Sequence, residues 1–426
     1  MTIAITGSDS AATGWLGRRL VEAAASSGQD VVRLIDTVAH ASNAPEAGVG
    51  IRELTAALAG VDAVIHLPEV ERTHPAGTRW SLPWAKRWRL GSWVGWHDRS
   101  VSTVDVDGTL NVCAAAAAAG ARQIVVASSV LVYGADSDTE VPLTEISSVP
   151  ELSSTPTADG FDLADEYRHL EHQLEDWRTD NRQLSVAVMR VGLLAGAEVD
   201  TFVTRAFEAP RIPFVKGHRP PMQLLHPDDA ASALLHAADT NLDGVFNVAA
   251  EGWLAFDEVS DTIGRSVVEV PEELAYSSVE GLWELGLGDL PPGALAWFVY
   301  PSVMDGSKLT ATGWRPQHST KQALVEMAKA HKRYVSIGAV RADKRALGIA
   351  ALVAMLVSVA VTVVVARQIF VRAKACGRRA CAFTSALKAA ADEPETPQAL
   401  RRQHELGERP GPPEPRELPG DPGQGT

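Results

Sequence analysis

The sequence ITGSDSAATGWLGRRL, residues 5–20, decides the fold expected for the N-terminal part of the chain. An apolar run, TIAIT, leads into it, and an amphipathic helical pattern follows from Leu16. A glycine-containing turn between a strand and a helix is the setting of a dinucleotide-binding fingerprint. Gly7, Gly14 and Gly17 can provide its tight turn, its close approach to pyrophosphate and its helix–strand contact. The stretch therefore predicts a phosphate-binding loop.

The predicted loop is longer than usual between its first two glycines. Six residues separate Gly7 from Gly14, and one of them is Asp9. A carboxylate pointing inward would repel a diphosphate, so we expect this insertion to bulge outward.

The start of the helix and the end of the next strand complete the predicted dinucleotide site. Phosphate would meet main-chain N–H groups and the positive helix end at Trp15, Leu16 and Gly17. Asp36 ends the second apolar run, VVRLID, where a carboxylate accepts the ribose hydroxyls of NAD and repels the extra phosphate of NADP. Although aspartate is also common in turns, its combination with the glycines predicts NAD rather than NADP.

Short apolar runs alternate with helical patterns through the first 200 residues. The runs include IAIT, VVRLI, AVIHL, QIVVAS and LSVAVMRV. Near-continuous apolar strands separated by helices are typical of a parallel sheet covered on both faces. We therefore predict an α/β fold: a Rossmann-type doubly wound sheet over residues 1–200, and a smaller C-terminal substrate lobe, interleaved with it, over residues 201–330.

Residues 346–366, ALGIAALVAMLVSVAVTVVVA, carry no charge and are long enough to cross a bilayer. We predict one transmembrane helix here, preceded by a basic connector at 331–345 and followed by a basic, then Pro/Gly-rich, disordered tail at 367–426. The alternative is a buried helix of a soluble domain. Flanking charges are balanced, but no secretory signal opens the chain, so we expect a single-pass cell-membrane protein with its N-terminal domain in the cytoplasm.

Composition excludes two classes of site. The formal net charge of −14 argues against nucleic-acid binding, which needs a basic face. The three cysteines, Cys113, Cys376 and Cys381, are too few and too scattered for a disulfide framework or a structural zinc site. We therefore predict no metal.

Further stretches occur in the order seen in extended short-chain dehydrogenases/reductases. They are TG…GWLG with Asp36, VDAVIHLPE, VDVDGTLNVCAAAAAAGARQIVVASSVLVYG, VAVMRVGLLAGA, MQLLHPDDAASALLHAA, GVFNVAAEGWLAFDEV and VMDGSKLTATGWRPQHSTKQAL. Over residues 1–330 the chain resembles, more narrowly, the NAD-dependent epimerase/dehydratase family, which includes UDP-glucose 4-epimerases. The resemblance implies a tightly held nicotinamide cofactor and a nucleotide-sugar substrate, and it is compatible with a homodimer.

The resemblance also implies roles for single residues near the strand ends. It gives cofactor contacts at Leu67, Pro68 and Ser128, and it matches Ser129 to the catalytic serine of the family. The alternative for Ser129 is a hydroxyl that only bonds at a strand end. The asparagine of the family falls on Asp105.

In the substrate lobe, His226 and Asp229 of LLHPDD match the family segment that closes this lobe over the sheet. Asp228 or Asp229 is equally well explained as a helix N-cap.

The Tyr-x-x-x-Lys helix of the family is not matched. No lysine occurs from residue 87 to residue 215. In one alignment Glu171 is the family's helix glutamate, which puts Tyr167 in the lysine place and Leu163 in the tyrosine place. Sliding by one turn makes Tyr167 the catalytic tyrosine but puts Glu171 in the lysine place, where a carboxylate would raise the pKa of the phenol. Neither alignment supports conventional hydride transfer.

His169 and His172 share this helix with Glu171 and Glu175, a spacing that also suits metal binding or proton transfer. We favour a solvated polar face.

An insertion at 73–100 contains five of the eleven tryptophans of the chain. Trp80, Trp84 and Trp88 would share one face of a helix, beside basic residues. This composition over residues 80–96 suits contact with membrane lipid, and it equally suits a lid over the domain itself.

Three hypotheses follow, and whether the chain is an enzyme stays open among them. The first is a membrane-anchored, NAD-binding, divergent nucleotide-sugar oxidoreductase or epimerase that lacks Tyr-x-x-x-Lys. The second is a non-catalytic NAD-responsive membrane scaffold or sensor. The third is a lipid- or sterol-directed oxidoreductase that reaches a bilayer substrate through the tryptophan insertion.

Overall fold

Strands and helices alternate through the first part of the chain and mix less regularly in the second. The computed structural model describes residues 1–7, 14–28, 30–33, 47–68, 70–73, 94–96, 101–152, 163–284, 290, 292–337 and 340–345. The strands are β1 (Thr2–Thr6), β2 (Asp30–Arg33), β3 (Ala63–His66), β4 (Val70–Thr73), β5 (Val94–Trp96), β6 (Val101–Val104), β7 (Gln123–Ser129), β8 (Ser185–Val191), β9 (Ile212–Val215), β10 (Gly244–Val248), β11 (Val267–Val270), β12 (Tyr334–Ile337) and β13 (Val340–Asp343). The helices are α1 (Gly14–Ser26), α2 (Ala47–Ala57), α3 (Val106–Ala119), α4 (Leu163–Asp180), α5 (Phe202–Ala206), α6 (Pro227–Asp239), α7 (Phe256–Ile263), α8 (Glu272–Glu284), α9 (Ala296–Val299), α10 (Ser307–Thr310) and α11 (Thr320–His331), with 3₁₀ turns at Val130–Tyr133 and Pro292–Leu295.

The main sheet has the strand order β10-β8-β7-β3-β1-β2, and its neighbouring strands are all parallel. The predicted Rossmann-type α/β sheet is therefore confirmed. The order reverses between β1 and β3, because β2 lies on one side of β1 while β3 and the later strands lie on the other. In open α/β sheets, ligands bind outside the carboxyl ends of the strands at such a switch point.

Both faces of this sheet are covered, which explains the continuous apolar runs. Alternate residues of β1 enter different clusters: Ile3 and Ile5 pack in the cluster that includes Leu20 of α1, and Ala4 packs in the cluster that includes Val112 of α3. Successive side chains of a strand point to opposite faces, so a strand covered twice needs an apolar residue at every position.

The predicted C-terminal lobe, residues 201–330, contains the parallel pair β9–β11 and the helices α5, α7, α8 and α11. The apolar cluster of this region joins Phe207, which follows α5, to Ile212 of β9, Val259 of α7 and Leu324 of α11. Ser319 starts α11 with a capping box, since its hydroxyl accepts from the Gln322 N–H while the Gln322 side chain accepts from the Ser319 N–H.

The tryptophan insertion is held by backbone pairing at its two ends. The strands β4 and β6, which flank it, pair antiparallel. The strand β5, near its end, pairs with β13, and β13 pairs with β12. Residues 331–345, predicted as a connector, therefore include a β-hairpin joined to the insertion.

Among the described residues, no helix has the length and apolarity needed to cross a membrane. The predicted span at 346–366 and the predicted tail at 367–426 lie outside the described residues. So do Asp36, Asp9 and the three tryptophans Trp80, Trp84 and Trp88.

Candidate functional site

Gly7 lies at the carboxyl end of β1, on the switch-point edge of the sheet, and its φ is +73°. A Cβ at this position would overlap the main-chain carbonyl oxygen of Leu67, which follows β3. Only glycine combines this φ with such a close approach to backbone. The predicted tight-turn role therefore has a structural basis, and Leu67 and Pro68, both buried, form the opposite side of the same edge. We call Gly7 and residues 66–68 the glycine edge.

His66, the residue of the glycine edge that ends β3, is held in place by two hydroxyl groups. It is buried, and its Nδ1 and Nε2 lie 2.7 Å and 3.0 Å from the hydroxyls of Thr6 and Thr109. Burial lowers the pKa of His66 to about 3, so the ring is neutral at ordinary pH. His66 was not predicted as a site residue, although a polar side chain inside the apolar run AVIHL is a signal for one.

Gly14 is the first residue of α1, and Gly17 is buried within the helix. Trp15 and Leu16, predicted to contribute N–H groups to a dinucleotide, bury their side chains in the core beneath the sheet. Their side chains therefore orient the helix, while any phosphate contact falls to their main chain.

A buried ion pair joins α4 to the sheet. Arg190 of β8 donates from Nε to both carboxylate oxygens of Glu171, at 3.1 Å each, and from Nη2 to Oε2 at 2.6 Å. The hydroxyl of Ser128 donates to Oε1 of the same carboxylate at 2.5 Å. The side chains of Arg190 and Glu171 are 7% and 12% exposed. We call Ser128, Glu171 and Arg190 the α4 anchor.

The α4 anchor corrects one prediction and limits another. Glu171 was predicted to lie on a solvated polar face, and that prediction is wrong for this residue, because the carboxylate points into the sheet and is neutralised there. Ser128 was predicted to contact the cofactor, whereas its hydroxyl is committed to Glu171. His169, His172 and Glu175 are exposed or partly exposed, as predicted for the rest of that face, and His172 pairs with Asp176 at 3.3 Å.

Tyr167 is packed against two apolar clusters, together with Leu163. Burial raises the pKa of Tyr167 to about 12, away from the range of a base near neutral pH. The nearest carboxylate on the following turn, Glu171, is held by Arg190. The helix α4, all of which the structure describes, contains no lysine that could lower the pKa of the Tyr167 phenol.

Tyr133, in the 3₁₀ turn at Val130–Tyr133, is buried, and its hydroxyl forms hydrogen bonds within the protein. Tyr133 bonds the Asn247 side chain at 2.7 Å, and Arg190 lies over its ring at 4.7 Å from the centroid. Burial raises the pKa of Tyr133, an effect that Arg190 partly offsets.

Ser129 and Asp105 occupy cap positions. The Ser129 hydroxyl accepts from the Leu131 N–H at 3.3 Å and caps the 3₁₀ turn at Val130–Tyr133. Asp105 is the N-cap of α3 and accepts from the Gly108 N–H at 2.8 Å. Aspartate is among the best capping residues, so this carboxylate has a structural role at the start of α3.

His226 and Asp229 form hydrogen bonds that connect the start of α6 to α11 and to the turn before α11. His226 is the N-cap of α6 through its Nδ1, so the predicted capping role of Asp228 or Asp229 is wrong. Its Nε2 lies 3.1 Å from Glu326. The buried Asp229 accepts from the N–H groups of Gln317 and His318, at 2.8 Å and 2.9 Å, and so fixes the turn before α11.

Ligand-type atoms of His226, Asp228 and His318 lie within 4.8 Å of one another. The two imidazoles stack, with centroids 3.9 Å apart and planes inclined by 25°. Stacked rings direct their in-plane lone pairs side by side, and both nitrogens of His226 already have hydrogen-bond partners. A metal would have to displace these bonds.

Two curated relatives from Mycobacterium tuberculosis carry the name "uncharacterized protein". One is 28% identical over 238 residues, which make up 53% of this chain and 58% of that protein. The other is 28% identical over 278 residues, 63% of this chain and 24% of that protein. The chain thus spans less than two thirds of the length of either relative.

Solved structures share the fold. The UDP-glucose 4-epimerase of Thermotoga maritima, solved with UDP-glucose, has a TM-score of 0.50 and 15% identity, covering 78% of this chain and 99% of that one. The UDP-glucose 4-epimerase of Stenotrophomonas maltophila, solved with NAD and formylated UDP-arabinopyranose, has a TM-score of 0.50 and 15% identity, covering 78% and 98%. Residues 92–249 match the model of the NAD dependent epimerase/dehydratase family.

Proposed function

We propose that this protein binds a nicotinamide dinucleotide at the glycine edge and responds to it as a non-catalytic, membrane-anchored sensor. The observation that carries the binding proposal is the packing of Gly7 against the Leu67 carbonyl at the switch point of the sheet. A side chain there would collide with the Leu67 carbonyl and force apart the ends of β1 and β3, beside which a dinucleotide would bind. The start of α1 supplies the positive helix end for a diphosphate.

The α4 anchor favours a sensor over the divergent enzyme. A Tyr–Lys pair works because the ammonium lowers the pKa of the phenol and lets it exchange a proton with substrate. Here Tyr167 is half-buried among apolar side chains with a raised pKa, and the carboxylate of Glu171 is paired with Arg190 and accepts from Ser128. A bound nicotinamide would supply hydride acceptance, but Tyr167 and Glu171 of α4 are not poised to exchange a proton with a substrate.

A nucleotide sugar is the second ligand we propose. The two solved epimerases with a TM-score of 0.50 were each obtained with a UDP-sugar, and this chain shares their fold over 78% of its length. The preference for NAD over NADP rests on Asp36, and the anchoring and cytoplasmic orientation rest on residues 346–366, so these parts of the proposal come from the sequence alone.

Calorimetry with the full chain tests the binding proposal. NAD should bind with a measurable Kd below about 1 mM, and NADP should bind more weakly. Absence of binding by both dinucleotides at millimolar concentration would contradict the proposal. Fractionation of cells into membrane and soluble pools, with protease protection of the N-terminal domain, tests anchoring and orientation.

Turnover separates the sensor from the enzyme. The wild-type chain with NAD and UDP-glucose should form no epimer and no reduced dinucleotide. Turnover that Tyr167→Phe abolishes, while the control Tyr276→Phe keeps it, would establish the enzyme instead. Activity that emerges only in the double variant L163Y/Y167K would support loss of an ancestral Tyr–Lys pair.

A further inference from the structure

An apolar cavity of about 510 Å³ lies in the C-terminal lobe, between α5, β9, α8 and α9. It shares no lining residue with the glycine edge or the α4 anchor. Its volume falls within the range typical of small-molecule sites, roughly 300–1,000 Å³. Among the side chains that line it, only Arg205 and Ser278 are polar.

Three phenylalanines give this cavity a rigid wall. Phe298 meets Phe202 edge to face, with centroids 6.1 Å apart and planes at 84°. It meets Phe207 in the same way, at 6.4 Å and 80°. Edge-to-face packing fixes ring orientations, so the cavity wall is defined by side chains that hold one another in place.

The polar side chains of the lining do not favour water. Arg205 is paired with Asp200, through Nε to Oδ1 at 2.6 Å and Nη2 to Oδ2 at 3.0 Å. Its charge is therefore compensated, and Ser278 is left as the other polar side chain. An ordered water needs two to four polar partners, which this lining does not offer.

The mouth of the cavity carries apolar side chains that remain in contact with solvent. Leu274 and Leu282 of α8 both line the cavity, yet they are 55% and 43% exposed. Large exposed apolar side chains beside a concave apolar surface mark a binding site.

We propose that this cavity binds the single hydrocarbon chain of an amphipathic lipid, with the chain inside and its polar end at the mouth beside Leu274 and Leu282. The size, the aromatic wall and the compensated Arg205 all favour an uncharged apolar occupant over a nucleotide or an anion. This site is separate from the glycine edge, so its failure and that of dinucleotide binding are distinguishable.

Photolabelling of the full chain tests the site. The probe is a sixteen-carbon fatty acid with a diazirine at the chain end, added to the protein in phosphatidylcholine nanodiscs so that no detergent competes. Peptide mapping should place the label on segments 202–215 and 270–298. The variant Ala206→Phe, which fills the cavity, should reduce labelling about fivefold, and Ala311→Phe, an exposed alanine elsewhere, should keep it.

The mouth is tested by a matched pair of leucines. Leu282→Asp should weaken labelling, whereas Leu152→Asp, at 44% exposure outside this cavity, should not. Thermal melting of each variant verifies that it is folded. Labelling confined to other segments, labelling equal in Ala206→Phe and wild type, or no labelling because a second copy of the chain covers the mouth would each overturn the proposal.

Discussion

The glycine edge and the α4 anchor both involve the main sheet, but the first is formed by close backbone contact and the second by side-chain hydrogen bonds. At the glycine edge, two backbone segments approach so closely that no side chain fits, and the histidine beneath them is neutral. At the α4 anchor, the carboxylate of Glu171 accepts hydrogen bonds from the guanidinium of Arg190 and from the hydroxyl of Ser128. The first arrangement has the close backbone approach of a dinucleotide-binding turn. In the second, the polar side chains that could take part in proton transfer are bonded to one another.

The largest expected effect breaks the α4 anchor. Glu171→Ala leaves the guanidinium of Arg190 buried without its carboxylate, and removing one partner of a buried pair costs about 3–5 kcal/mol. We expect the free energy of unfolding, measured by urea denaturation, to fall by that amount. Glu175→Ala is the matched control on α4: its carboxylate is 62% exposed in an ion pair with Arg178, so its loss should cost less than about 1 kcal/mol. Equal costs for the two variants would contradict a structural role for the anchor.

The next effect breaks the glycine edge. Gly7→Ala should weaken NAD binding about 100-fold, or about 2.7 kcal/mol, because the methyl group forces the backbone away from Leu67. Gly28→Ala is the control, since Gly28 has the same φ of +73° with no atom within 4 Å of the added Cβ. It carries the same backbone strain without the overlap. If calorimetry finds the same affinity for both variants, close approach at Gly7 is not what shapes the site.

A pH effect sharpens the comparison at His66. Its folded pKa, lowered by burial to about 3, lies below the unfolded value of about 6.5. The unfolded chain therefore takes up a proton that the folded chain does not. The contribution of His66 to stability is complete above about pH 6.5 and is lost as the pH falls toward 3, by about 1.4 kcal/mol per pH unit.

The variant His66→Gln should lose this part of the pH dependence in denaturation measured between pH 4 and 7. His172→Gln, at an exposed histidine of α4, should keep the wild-type slope. A slope unchanged in His66→Gln would mean that the ring is not held neutral.

The smallest expected effect concerns the cap of α3. Asp105→Ala should lower the free energy of unfolding by about 1 kcal/mol, because the Gly108 N–H loses its acceptor. Asp105→Asn should be nearly neutral, since asparagine caps as well as aspartate. Thermal melting compares the two. A gain of turnover in Asp105→Asn would instead assign this position to catalysis.

The sheet could be predicted from the sequence because every strand inside it needs consecutive apolar residues, as in β1, β3, β7 and β8. The tight-turn role of Gly7 could be predicted because only glycine tolerates a positive φ so close to another backbone segment, so a glycine after an apolar strand indicates such a turn. The partner of Glu171 could not, because it depends on the register of α4 against β8, which places residues 171 and 190 together. An aspartate N-cap for α6 was one of two alternatives, based on propensity, but the ring nitrogen of His226 accepts from the Asp228 N–H instead.

The pairing of β5 with β13 has a consequence for the order in which the protein is made. Val94–Trp96 leaves the ribosome early, but its partners, residues 340–342, are among the last described residues to be synthesised. The entropy of closing a loop grows only with the logarithm of its length, so the separation delays the pairing without forbidding it. Because β13 is the central strand of this small sheet, neither β5 nor β12 can pair there before it arrives. During translation, β5 of the tryptophan insertion therefore cannot form its pairing with β13 until residues 340–342 have been synthesised.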